Sequence, residues 1–239
     1  MNRLFTFGCS FTNYRWSTWA DCLAPEFDYF ENWGQAGAGN HYIFNSVMEA
    51  DQRHNFSDGD TVVVCWTNVL REDRYTTCWQ THGNAATNNY YNDSYCQKYI
   101  TERGCLIRDL ALIKGVIQFL KSIPGIKFKL LSMCPLLYPD QYKRTETEYH
   151  DIKTLYSNVL KEISLSFYET VLRKDWELNW ETNRMDLHPT PAEHLAYLDT
   201  VLPGWVTKTE TRAKIQEESI NLRNNTNPAK SGLSKVTRL

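Results

Sequence analysis

A strand-like run followed by a helical stripe, repeated about five times, limits the folds open to this sequence more than any other feature. The runs are Leu4 to Phe7, Phe27 to Phe30, Thr61 to Trp66 and Ile126 to Met133, with Phe167 to Leu172 expected as the last strand. Between them apolar residues recur at helical spacing. Trp16, Trp19 and Leu23 precede Pro25, and Ile43, Phe44, Val47 and Met48 follow Asn40, which is placed to cap their helix. Leu106, Leu110, Ile113, Ile117 and Leu120 form the best stripe and end at Pro124-Gly125. Ile152, Leu155, Tyr156, Val159 and Ile163 make another, and a last helix starts at Pro191 and runs to about Leu202. The alternation predicts a parallel sheet with helices on both faces. Sites in such sheets lie beyond the carboxyl ends of the strands.

The 239 residues allow one α/β domain, placed at 1–205, with one layer of insertions. Residues 70–100, rich in Tyr, Asn and Thr without a period, read as an insertion over the site. Residues 206–239 read as an extended polar tail, since Asn221 to Leu239 holds Arg223, Lys230, Lys235 and Arg238 and no acid. Such an arm offers a docking point for a virion or host partner. A net charge of −2 gives no reason to expect nucleic acid or an anionic membrane as the main partner. Seven cysteines, an odd number with no CxxC pair, read as reduced thiols. The first residues are not a signal peptide, and no apolar stretch reaches transmembrane length, so a cytoplasmic location is expected.

Ser10 follows the first run, where α/β enzymes expose a nucleophile. Three later segments each follow a predicted strand and supply a group that ester cleavage needs. His188 is the candidate base, because imidazole ordinarily titrates near working pH, and Asp186 is placed to fix its tautomer. For the oxyanion, Gly37 in a tight turn offers a backbone N–H, Asn68 a side-chain amide, and Ser10 its own N–H. This chemistry requires no cofactor. A metal set of Asp186, His188 and His194 has no standard spacing, and the glycine turn lacks the dinucleotide order. His194 reads as an ordinary helix residue.

In these segments the chain resembles the SGNH (GDSL-type) hydrolases, in the style of small bacteriophage-encoded members. Phe7-Gly8-Cys9-Ser10-Phe11-Thr12 resembles the family's first block, with Ser10 at the nucleophile. Asn32-x-Gly34-x-x-Gly37 resembles the second, Trp66-Thr67-Asn68-Val69 the third, and Asp186-Leu187-His188-Pro189 the last. The resemblance implies a three-layer α/β/α sandwich with a parallel sheet of about five strands in flavodoxin-like order. It also implies a serine esterase that forms an acyl-enzyme on Ser10, the substrate being a small acyl ester or an O-acetylated glycan. The chain departs from the pattern at Cys9, where the family has aspartate, at Trp66 and Val69, and in the single residue between Asp186 and His188. Two other readings stay open: an O-acyltransferase using the same serine, and a non-catalytic binding or virion protein that keeps the fold.

Overall fold

A continuous apolar strand, β3 (Thr61–Trp66), lies buried along its whole length in the computed structural model, which describes residues 1–85, 90–137, 149–172 and 188–223. Burial on both faces is what a strand without alternation requires. It pairs in parallel with β1 (Arg3–Phe7), which pairs in parallel with β2 (Tyr29–Asn32). After a hairpin of β4 (Arg71–Tyr75) and β5 (Trp79–Asn84), β6 (Lys127–Ser132) pairs with the other edge of β3. The order β2-β1-β3-β6 is the flavodoxin-like one expected. Thr6 lies opposite Asn32, Phe7 opposite Val64 and Trp66 opposite Ser132, so the loops after these strands leave from one end of the sheet.

Two groups of helices cover this sheet, as the three-layer expectation requires. In chain order the helices are α1 (Trp19–Leu23), α2 (Asn40–His54), α3 (Asp93–Tyr99), α4 (Glu102–Ser122), α5 (His150–Leu155), α6 (Ser157–Leu160), α7 (Phe167–Thr170), α8 (Pro191–Val201) and α9 (Thr209–Arg223). α2 packs against α4, and α1 packs against α8 and α9. Local chemistry sets several of their ends. The Thr101 hydroxyl caps α4, and Thr190 with Glu193 forms a capping box before Pro191. Among the described residues, no helix is long and apolar enough to cross a membrane.

Among the described residues the sheet has four strands, where about five were expected. Phe167 to Leu172 is not the last strand, because Ser166 and Glu169 form a capping box that starts α7 instead. The Ser166 hydroxyl accepts from the Glu169 N–H (3.2 Å), and the Glu169 carboxylate accepts from the Ser166 N–H (2.8 Å). The fifth position is a single parallel bridge between Ile163 and Leu130. The helix predicted over 152–163 breaks at Tyr156 into α5 and α6 and ends before Ile163, and Leu155 is 78% exposed. Trp16 is outside α1, and its indole N–H donates to the Pro189 carbonyl at 2.8 Å. Asn40 is the first residue of α2 rather than its cap.

The tail reading is corrected over Thr209–Arg223, which is helical and packed. Thr211, Ile215 and Ser219 fall on one helical stripe and are buried. The Ser219 hydroxyl accepts from the Ala192 N–H (2.7 Å), the Glu218 carboxylate from the Ser17 N–H (3.0 Å), and Arg212 pairs with Asp199. Only one of the three stripe residues is apolar, so hydropathy hides the face. Residues 224–239 lie outside the described residues. A chain ending at Lys208 is expected to lose roughly 3 kcal/mol, from the burial of Ile215 and the lost hydrogen bonds. Urea denaturation of the truncated and full-length chains measures it, and equal midpoints would show that α9 does not anchor the domain.

Candidate active site

Ser10 sits in a tight turn that β1 enters through Gly8. A Cβ on Gly8 would lie 2.1 Å from the Thr12 hydroxyl oxygen, so this fold of the chain requires glycine. The Cys9 carbonyl accepts from the N–H groups of Thr12 (2.9 Å) and Asn13 (3.2 Å), closing the turn around Ser10. Cys9, at the position where the resembled family has aspartate, is fully buried with its sulfur 3.8 Å from that of Met133. It packs into the core and anchors no loop by charge.

The glycine turn after β2 is bound to the serine turn on one side and to the hairpin on the other. Asn32 donates to the Thr12 carbonyl (2.8 Å) and accepts from the Gly34 N–H (2.9 Å). The Gln35 N–H donates to the Gly8 carbonyl at 3.0 Å. Gly37 has φ +75°, and a Cβ there would lie 2.3 Å from the Thr81 carbonyl oxygen. The Gly83 N–H donates to the Gly37 carbonyl (3.0 Å), and the Thr81 hydroxyl to that of Ala36 (2.8 Å). Residues 71–84 of the expected insertion therefore form a hairpin clamped onto this turn.

The end of β3 is held as firmly. Asn40 donates to the Thr67 carbonyl (3.0 Å) and to the Asp109 carboxylate (2.7 Å), and accepts from the Thr67 N–H (2.8 Å). The Asn68 side-chain oxygen accepts from the Leu70 N–H at 2.8 Å, which turns its NH2 group the other way. Burial pushes the Cys134 thiol up to about 12, opposed by the Arg71 charge and by a hydrogen bond from Asn68. Asn68 as a whole is partly exposed.

His188 reaches this end of the sheet from the loop before α8. Its Nε2 lies 2.8 Å from the Ser10 Oγ. Its ring stacks on Tyr14, with centroids 3.9 Å apart and planes 16° from parallel, and Trp16 pins the following Pro189. Tyr14 was not among the residues expected at the site. The signal available was an aromatic residue four positions after the serine in a segment without helical period. Asp186 lies outside the described residues.

Asp73 on β4 was also missed, and it completes the frame. Its two oxygens accept from the N–H groups of Gly39 and Tyr42, each at 2.8 Å, capping α2 from another element. Burial raises its carboxyl to about 6, opposed by the Gly39 N–H and by His41, Arg108 and Arg71. His194, expected as an ordinary helix residue, is fully buried against Phe11 and Phe167. Neither of its ring nitrogens has a hydrogen-bond partner among the described residues.

No family model and no curated protein matches the chain. Solved structures similar to it include the psychrotrophic esterase EstA from Pseudoalteromonas, with 11% identity and a TM-score of 0.44 over 94% of this chain and 100% of that one. An acetylxylan esterase from Geobacillus stearothermophilus has 14% identity and a TM-score of 0.43 over 87% and 97%. A GDSL-like lipase from Bacteroides thetaiotaomicron has 15% identity and a TM-score of 0.41 over 90% and 88%. Likeness at this level assigns no residue and no substrate.

His194 makes the fold around this site sensitive to acid. Burial, with the neighbouring His188, lowers its pKa from 6.5 to about 3. Between those values the unfolded chain binds the proton and the folded one does not, so stability falls as pH drops below about 6.5 and levels off near 3. The loss from this residue is expected to reach roughly 2–3 kcal/mol at pH 4.5. Replacing it by Leu should flatten that part of the curve, as followed by denaturation from pH 7 to 4.5. Equal pH slopes for wild type and His194→Leu would show that the residue titrates normally.

Proposed function

We propose that the protein is a serine ester hydrolase in which Ser10 is the nucleophile and His188 the base. The observation that carries this reading is the 2.8 Å contact between Ser10 Oγ and His188 Nε2, at the end of the parallel sheet where such sites lie. In this mechanism Ser10 Oγ attacks the acyl carbonyl while His188 Nε2 takes its proton. The carbonyl oxygen becomes an oxyanion held by the N–H groups of Ser10 and Gly37 and by the Asn68 amide. For these two N–H groups, no acceptor is found among the described residues. The intermediate collapses, and the alcohol leaves with the proton from His188. Water then attacks the acyl-enzyme, His188 takes its proton, and the acid departs as Ser10 regains a proton. Asp186 is retained in the proposal as the residue that orients His188. The Tyr14 stack supports the same orientation from the ring face.

An acylated glycan remains the proposed substrate class. Its support is the aromatic surface of the 71–99 lobe, where His82 stacks on Tyr90 (3.5 Å) and Tyr91 on Tyr95 (5.1 Å). Tyr75, Tyr90 and Tyr99 are each more than half exposed. A cleft of about 570 Å³ beside them is lined by Arg74, Tyr95, Tyr99 and Arg108. Flat rings with ion-paired cations between them suit sugar faces and hydroxyls.

Fluorophosphonate labelling tests the nucleophile. Ser10→Ala should abolish labelling and lower kcat toward 4-nitrophenyl acetate at least about a thousandfold, and His188→Ala should cost about as much. Full labelling of a folded Ser10→Ala protein would refute the assignment. Asn68 is tested separately. Asn68→Ala should lower kcat about a hundred- to a thousandfold, roughly 3–4 kcal/mol, with little change in KM. Thermal midpoint and kcat are read on the same preparation. A destabilised but fully active variant would leave Asn68 only its turn-shaping bond to Leu70.

A further inference from the structure

The first residue of β4, Arg71, places a guanidinium against the glycine turn and Met133. The Arg71 N–H donates to the Asn68 carbonyl at 3.2 Å. Its Nη1 donates to the Ala38 carbonyl at 3.0 Å, one residue past Gly37. Its Nη2 lies 3.5 Å from the Met133 sulfur, which is 3.8 Å from the sulfur of Cys9, the neighbour of Ser10. The guanidinium is thus fixed beside the glycine turn that carries Gly37, on a residue whose backbone is tied to Asn68, and it uses none of the proposed donors.

What surrounds this cation is unusual for the molecule. Arg3, Arg53, Arg74, Arg103, Arg108 and Arg212 each pair with an aspartate or glutamate. Arg71 pairs with none among the described residues, its side-chain partners being a carbonyl and a thioether. Asp73 is close enough to feel its charge, but both Asp73 oxygens face the start of α2. Arg71 is also partly exposed. A forked donor with neutral partners and access to solvent keeps its capacity for a carboxylate or phosphate. A carbonyl anchor alone does not require a full positive charge.

We propose that Arg71 is a specificity residue that binds a carboxylate or phosphate carried by the ester close to its scissile bond, so that the preferred substrates are anionic esters. The proposal rests on the ester-hydrolase reading. The anion lies on the alcohol side or the acyl side of the ester, and its chemistry at the guanidinium is the same in both.

The test compares kcat/KM within two matched pairs. 4-Acetoxybenzoate and its methyl ester differ by a charge on the alcohol side, and mono-4-nitrophenyl succinate and its methyl ester by one on the acyl side. Wild type is expected to prefer the anionic member of one pair by about tenfold or more, and that pair identifies the side. Arg71→Gln should abolish the preference, and Arg71→Lys, which keeps the charge but not the fork, should retain part of it. Because the readout is a ratio within one preparation, partial misfolding does not alter it. No preference in wild type, or a ratio that Arg71→Gln leaves unchanged, would overturn the proposal. If wild type hydrolyses none of the four and Ser10 resists the fluorophosphonate, the hydrolase reading fails. Calorimetric titration with 4-acetoxybenzoate then decides the anion site: binding lost in Arg71→Gln upholds it, and equal or absent binding overturns it.

Discussion

The candidate site depends on the bond between the Asp73 carboxylate and the open start of α2. The helix begins after Gly39, which has no side chain to accept from its first N–H groups. Asp73 performs that task from β4, where its charge also opposes the positive end of the helix dipole. The glycine turn runs straight into this helix, so fixing 39–42 fixes one end of the turn. The bonds from Thr81 and Gly83 fix the other. The hairpin therefore acts as a brace for the loop that carries Gly37, and a segment without clear sequence pattern sets the geometry of the site.

A buried polar network extends this brace into the domain. Asn40 links the end of β3 to Asp109 on α4, and Arg108 holds Asp109 with one nitrogen and Glu72 on β4 with another. Burial raises the Asp109 carboxyl to about 6, and Arg108 opposes that shift by charge and hydrogen bond. Buried charges contribute little net stability, but a satisfied network tolerates few alternative arrangements. Its effect here is to set the relation of α2, α4, β3 and the hairpin, while the buried apolar side chains of β1 and β3 supply the driving force for folding.

How much of the fold could be read in advance varied with the kind of signal. β3 was legible because Thr61 to Trp66 is an unbroken, strongly β-branched run after a turn at Asp58-Gly59-Asp60. α4 was legible because its apolar stripe repeats over several turns. Phe167 to Leu172 reads as a strand because it is short and apolar, a pattern that does not register the Ser166-Glu169 capping pair. α9 was missed because its buried stripe is Thr211, Ile215 and Ser219, which is nearly invisible to hydropathy. The hairpin was missed because its partners are held by long-range bonds to the glycine turn and the α2 terminus.

The order of local signals along the chain was sufficient for a parallel α/β sheet and for the placing of Ser10, Gly37 and Asn68 in loops after their strands, whereas the strand expected before His188 is helix α7. These follow from periodicity, turn chemistry and strand ends, which act over a few residues. That His188 meets Ser10 across 178 positions, that Tyr14 stacks on its ring, and that Asp73 and Arg71 converge on the glycine turn were settled by packing alone. Contacts between segments far apart in the chain depend on how rigid elements dock, and no local pattern of residues encodes that.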